Sequence, residues 1–294
     1  NFIGNGKSKS VQNNGKIIIG DKGHGALLGG QISNAGIVSA RLGKIALGAG
    51  EKITLDFVGD GLMSVSVPSE KLGIIKDING NTLKSLISNS GLLKANGGII
   101  KLSAATAKNL SRSSVNIGSS GLIIARSVND KTGKVVIGSP TNEEIKIAGK
   151  IDVSSHRSLT PSGTIIVRGR SVTHNGKIFA RGGTGGKVNI ISKDTLKLDG
   201  AIFAQGTKEK GGSVLFLSEK SISSTPKTVV DVSGTNKGGR IRSLAKSTNI
   251  SSGTFKSNSE GGKGGNIDLT GDRVEISNAK IEACLLYTSP SPRD

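Results

Sequence analysis

Gly176 to Leu198 reads GKIFARGGTGGKVNIISKDTLKL, and its apolar residues alternate: Ile178 with Ala180, Val188 with Ile190, Leu196 with Leu198. A period of two is the signature of a strand with one buried face, and the Gly-rich or Ser/Thr/Lys-rich runs between the groups are corners. The same order of strands and corners returns as GAIFAQGTKEKGGSVLFL from Gly200, TVVDVSGTNKGGRIRSL from Thr228 and GTFKSNSEGGKGGNIDL from Gly253. GKIDVSS from Gly149 leads into the series and AKIEA from Ala279 closes it, with 24 to 28 residues from one start to the next.

Each turn carries three inward-facing groups too small to bury themselves, so the turns must stack, Ile over Ile and Val over Val. Stacking like segments in layers of about 4.8 Å predicts an all-β fold, a single-stranded parallel β-helix of the pectin-lyase-like kind. The chirality of parallel crossovers makes it right-handed. A leucine-rich repeat would need its Leu/Asn consensus, and a propeller antiparallel blades with aromatic marks; neither is present. Composition agrees, with 44 Gly in 294 residues, aromatics at 2% and no Trp. Narrow coils need corner residues that tolerate positive φ, and Gly and Asn supply them. At about 24 residues per coil the chain makes on the order of a dozen layers, roughly 55 Å long.

Working outward, residues 68–148 are less regular. Ser85 to Ile87 and Gly91 to Leu102 restore the coil pattern, and Gly121 to Arg126 and Val135 to Ile137 continue it. Ala104 to Leu110 lacks Gly and is the best short-helix candidate, an excursion from the solenoid. In residues 1–67, Asn14-Gly15 and Asn34-Ala35-Gly36 mark turns entering strands, Ala26 to Gly29 reads as a buried corner, and Gly43 to Leu47 and Ile53 to Phe57 as strands. Residues 284–294, CLLYTSPSPRD, break the repeat in mid-strand and hold the only Cys and the only Tyr. This tail resembles an in-frame translation of a sequencing-library adapter and is set aside as non-native. Asn1 is not an initiator Met and no signal sequence follows it, so the chain is expected to begin downstream of one.

The run from Ala26 to Leu62, ALLGGQISNAGIVSARLGKIALGAGEKITLDFVGDGL, resembles the end of the secretion domain of filamentous-haemagglutinin-like adhesins, the exoproteins of bacterial two-partner secretion. Ala26 to Gly29, Ser33-Asn34, Gly36, Ala40, Gly43, Ala46-Leu47, Ala49-Gly50, Thr54 to Phe57 and Gly59 to Leu62 carry the likeness. The coils from Gly149 resemble that family's shaft more loosely. The resemblance implies residues 1–67 as the end of the secretion domain and 149–283 as the first shaft repeats, exported through an outer-membrane transporter to the surface of a Gram-negative cell or beyond it. The upstream Asn-Pro-Asn-Gly type secretion motif is absent, so its role falls on no residue here.

Lys and Arg number 40 against 21 Asp and Glu, a formal excess of +19. Such a surface favours polyanions, and Lys187, Lys193, Lys197, Lys208, Lys210 and Lys220 are the contact candidates. Sulfated glycans or cell-surface receptors are the implied partners. Specific nucleic-acid binding is disfavoured by the near absence of stacking aromatics. The competing reading is a solvated Lys-rich face that keeps solenoids apart as monomeric rods.

Motifs for chemistry fail one by one. Gly4-Asn5-Gly6-Lys7-Ser8 ends like a phosphate loop, but Asn1 stands where its first Gly belongs. Gly182 to Lys187 lacks the following Ser or Thr, and its glycine pair recurs as Gly211-Gly212 and Gly238-Gly239, so a corner of the coil explains it. Gly261 to Ile267 approaches the calcium nonapeptide, with Asn266 where Asp is needed. Asp56 and Asp60 flank a turn and are expected to shape it rather than hold a cation. His24, His156 and His174 are isolated, and the 18 residues between the last two put them on different faces.

A polysaccharide-degrading β-helix would gather carboxylates on adjacent coils. Here Asp152, Asp194, Asp199, Asp231 and Asp268 fall at differing repeat offsets, and the one shared offset, of Asp152 and Asp231, spans several coils. The expectation is a non-enzymatic adhesin shaft with no cofactor and no metal. The alternatives are such an enzyme and the shaft of a contact-dependent inhibition toxin.

Overall fold

The computed structural model of the chain describes residues 2–3, 8–50, 52–54, 64–66, 85–104, 113–138, 144–156 and 160–285. They form a parallel β-helix. Twenty-five strands belong to the solenoid and three to a small antiparallel sheet beside it.

Each coil contributes to three parallel sheets, and the inward residues make continuous columns. On the first sheet Val11, Ile32, Ile87, Val115, Ile145, Val172, Leu196, Ile222, Asn249 and Val274 stand one over another. On the second, Ile17, Val38, Leu93, Ile123, Ile151, Ile178, Ile202, Val230, Phe255 and Ile281 do the same. On the third, Ile45, Ile100, Val135, Ile165, Val188, Val214, Ile241 and Ile267 follow Gly25. One cluster of buried side chains runs through nearly all layers, each Ile, Leu or Val contributing about 1.5–3 kcal/mol by leaving water. The end layers lack a neighbour on one side, so Val274 and Ile281 are 41% exposed where Val230 is fully buried.

The strands Thr164–His174, Lys187–Leu198, Thr248–Lys256 and Arg273–Glu282 each run round a corner and serve two sheets. In the first of these, pairing with the second shifts register between Gly169 and Ser171, where the chain turns.

The first two columns are ten layers deep among the described residues, about 43 Å, and the third nine, fewer than the dozen expected. The reason is an excursion. Ile32 pairs directly with Ile87, Val38 with Leu93 and Leu47 with Leu102, so the chain between Gly50 and Ser85 adds no layer to the stack. Its described strands, Lys52–Thr54 and Ser64–Ser66, pair antiparallel with each other, and Lys52–Thr54 with Phe2–Ile3.

Two other expectations change. Ala26 to Gly29 is no buried corner: it lies in the strand His24–Gly29 of the third sheet, where Ala26 is exposed at an outward position in register with Ala46. Ala104 ends the strand Ile99–Ala104, and the rest of the candidate helix lies outside the described residues. No helix occurs among the described residues. Cys284 and Leu285 still keep the stacking register, since Ser259 N–H donates to the Cys284 carbonyl at 2.9 Å and Ser259 bridges Leu285.

The second inward column of the first sheet begins polar. Asn13 donates to Asn34 Oδ1 at 2.8 Å, Asn34 to Asn89 Oδ1 at 2.7 Å, and Asn89 to the Gly91 carbonyl at 3.2 Å. Beyond this ladder the column becomes Ile117, Ile147, His174 and Leu198.

Candidate functional site: a basic groove along one corner

The corner between the second and third sheets is built from a repeated sequence unit: a glycine pair, preceded by Lys in three coils. Gly185-Gly186, Gly211-Gly212, Gly238-Gly239 and Gly264-Gly265 stack in successive layers, following Gly163. Their backbones approach too closely for side chains. A Cβ at Gly211 would overlap the Val232 carbonyl and one at Gly238 the Ser257 carbonyl. A floor without side chains leaves a groove of about 710 Å³ between two rails.

One rail is Lys210, Lys237 and Lys263, bridged in parallel from coil to coil. The other is the first position of the third sheet: Thr164, Lys187, Ser213, Arg240 and Asn266. Cations therefore recur about every 4.8 Å on the first rail and about every 9.6 Å, alternating with Ser213, on the second. All five basic side chains are exposed, and none of them ion-pairs with a described residue. No Asp or Glu lines the groove. Ser162 lines its first layer; it is 7% exposed and its hydroxyl has no partner.

The floor's N–H groups are already used. Gly185, Gly211 and Gly238 donate to the carbonyls of Lys210, Lys237 and Lys263 at 2.9–3.1 Å, and Gly186, Gly212 and Gly239 to Ala180, Ala204 and Val232 at 2.7–2.8 Å. Gly182 to Lys187 is thus a corner and not an anion nest, as its recurrence indicated. The groove can attract anions through its side chains alone.

Of the six lysines singled out in the sequence, only Lys187 and Lys210 meet here. Lys193 and Lys220 lie on the corner between the third and first sheets, with Arg170, Asp194, Glu219 and Lys246. Lys220 is bound to Asp194 at 2.8 Å and Arg170 to Glu144 at 3.1 Å. The hydrogen bond from Lys220, opposed only weakly by burial, holds the Asp194 carboxyl below its ordinary value. Lys197 points outward from the first sheet in register with Ser223, and Lys208 sits on the exposed loop before Lys210. Sequence reasoning missed Lys237, Arg240 and Lys263. The signal was there, because Lys-Gly-Gly recurs at Lys210, Lys237 and Lys263.

The remaining candidates separate as expected. Asp152 and Asp231 share an outward column of the second sheet with Phe179 and Phe203 between them. That is about 14 Å, beyond the roughly 5–9.5 Å of a glycosidase carboxylate pair. Burial alone would raise the Asp152 carboxyl, but hydrogen bonds from Arg126, at 2.7 and 3.0 Å, and from Ser154 hold it below the usual range. Gln205 donates to Asp231 at 2.6 Å. Phe179 and Phe203 stack at 5.5 Å, with Arg181 4.4 Å from the Phe203 ring and Lys150 4.7 Å from that of Phe179.

His174 is fully buried in the first sheet and His156 exposed beyond the second, so they do lie on different faces. Asp268 accepts from Asn266 at 3.0 and 3.1 Å. Among the described residues no three His, Cys, Asp or Glu side chains are grouped to hold a metal. Asp56, Asp60 and Gly4 to Lys7 lie outside the described residues.

Fold and site together define a parallel β-helix with a cationic groove along its axis. No protein-family model matches the chain, and no curated protein matches it. Among solved structures, the HMW1 secretion domain from Haemophilus influenzae is similar to it with a TM-score of 0.57 and 24% identity, over 95% of this chain. The chain spans 66% of that domain's length. The likeness is one of fold, and it falls on a secretion domain, the class that residues 26–62 resemble.

Proposed function

We propose that the chain is part of a large exoprotein of a Gram-negative bacterium, exported by two-partner secretion, and that its solenoid is a monomeric adhesive shaft at the cell surface or in the medium. The observation that carries this reading is continuity of register. The stretch resembling the end of a secretion domain supplies coils on which the later coils stack, Leu47 on Leu102 and Leu102 on Ile137. The shared fold with a solved secretion domain supports it.

The implied partner in export is an outer-membrane transporter barrel with periplasmic domains. A solenoid suits that route, because each emerging coil hydrogen-bonds to a finished template and closes no long loop. Outside, the excess of positive charge would draw the shaft to sulfated glycans or to acidic receptors on other cells.

Two measurements test the two halves of the reading. Export is tested by expressing the full gene product with and without a two-partner transporter; appearance of these coils in the medium only with the transporter is expected, and equal release without it would overturn the assignment. Adhesion is tested by retention of the chain on immobilised heparin and on cells across a salt series, beside a charge-matched basic control. Retention to higher salt than the control is expected. Co-elution would reduce this stretch to a passive shaft.

A further inference from the structure

We infer that the glycine-floored groove is the receptor site of this shaft, and that its ligand is a single extended strand of an acidic polysaccharide lying parallel to the solenoid axis. The inference rests on the adhesive reading above and narrows it to one site and one ligand chemistry.

The groove is linear. Its lining spans five successive layers, from Ser162–Thr164 to Lys263–Asn266, about 19 Å along the axis. Its cations form two parallel rails with no carboxylate among them, so opposite charge on a ligand must also be distributed along a line. A single small anion has nothing to hold it. The floor's N–H groups bond within the solenoid, and lone exposed ammonium groups bind weakly in water. Binding strength has to come from several such contacts made by one chain, each later contact being intramolecular.

Sugar fits better than nucleic acid. No aromatic side chain lines the groove, so bases would find no stacking platform. Thr164, Ser213 and Asn266 place hydroxyl and amide groups beside the cations, the groups that hydrogen-bond sugar hydroxyls. The opposite corner is the internal control, for its cations are joined by Asp194 and Glu219.

Heparin oligosaccharides of increasing length serve as the probe, with single-stranded DNA of equal charge as competitor. The groove variant is Lys210→Gln, Lys237→Gln, Arg240→Gln and Lys263→Gln; the control, Lys193→Gln, Lys197→Gln, Lys208→Gln and Lys246→Gln, removes the same charge elsewhere. All eight side chains are exposed, and circular dichroism and the thermal midpoint confirm that each variant folds. A second groove variant, Ser213→Glu, places one carboxylate between Lys187 and Arg240.

We expect heparin affinity to rise with oligosaccharide length and level off once the groove is filled. The groove variant should lose at least about tenfold and the control less than about threefold, with Ser213→Glu between them. Equal losses in the groove and control variants, or DNA competing as well as heparin, would overturn the inference while leaving the adhesive reading in place. Wild-type chain eluting with the basic control would instead remove the adhesive reading itself.

Discussion

Two corners border the third sheet, and each carries at least four basic side chains across successive coils. At the groove corner Lys187, Lys210, Lys237, Arg240 and Lys263 stand without acidic partners among the described residues, over a glycine floor. At the opposite corner Arg170, Lys193, Lys220 and Lys246 share their space with Asp194 and Glu219. A count of lysines does not separate them. What separates them is pairing, which offsets part of the charge at one corner through Lys220–Asp194 and Arg170–Glu144, and the absence of Cβ atoms, which hollows out the other. The cores behind them differ too. The third sheet backs the groove with Val188, Val214 and Ile241, whereas in the layers of the opposite corner the first sheet carries Val172, Leu196 and Ile222 inward with the polar His174 and Ser224 beside them.

The strongest way to break the comparison is to fill the floor. Gly211→Val sets side-chain atoms against the Val232 carbonyl and should cost about 3 kcal/mol, read as a lower urea midpoint. Lys246→Val at the opposite corner should stay within about 0.5 kcal/mol. Equal effects would show that the groove corner has no special packing.

His174 probes the polar core. Burial holds its pKa down to about 4, against 6.5 for the free side chain, so the unfolded chain takes up its proton first as pH falls. The His174 contribution therefore lowers stability by roughly 3 kcal/mol from about pH 6.5 to about pH 4, and by no more below that. His174→Leu should abolish that slope in denaturant titrations at pH 7 and pH 4.5; an unchanged slope would place the acid sensitivity elsewhere.

Asn34→Ala cuts the ladder in the same sheet. It leaves the Asn13 amide and the Asn89 carbonyl oxygen without their partner, at about 2 kcal/mol, measured as a lower thermal midpoint. The smallest effect is at the exposed pair. Asp194→Asn removes the partner of Lys220, which is 68% exposed, and should shift stability by less than about 1 kcal/mol. It sharpens the comparison through binding: if pairing alone silences that corner, Asp194→Asn with Glu219→Gln should raise heparin retention. If the floor also matters, retention should stay as it was.

Much of the fold was legible because its period is local. Alternation at Ile178 and Ala180, at Val188 and Ile190, and at Leu196 and Leu198 marks inward faces without knowledge of the partner strand, and all six side chains are buried. The excursion after Gly50 was not legible. Nothing in that segment says that Ile87 will find Ile32, since a solenoid tolerates an insertion wherever the chain leaves and rejoins the stack. The site was half legible. Lys187 and Lys210 are 23 residues apart and at different points of the repeat, and only the turn of the corner brings them to facing rails.

The amino-acid sequence by itself determined that the chain stacks in parallel coils cornered by glycine, because strand period and corner chemistry are properties of neighbours along the chain. The tertiary structure alone decided which basic residues share a surface and which are neutralised. Stacking places residues about 25 positions apart within one hydrogen bond of each other, and whether Lys meets Asp194 or an open glycine floor depends on where each corner turns.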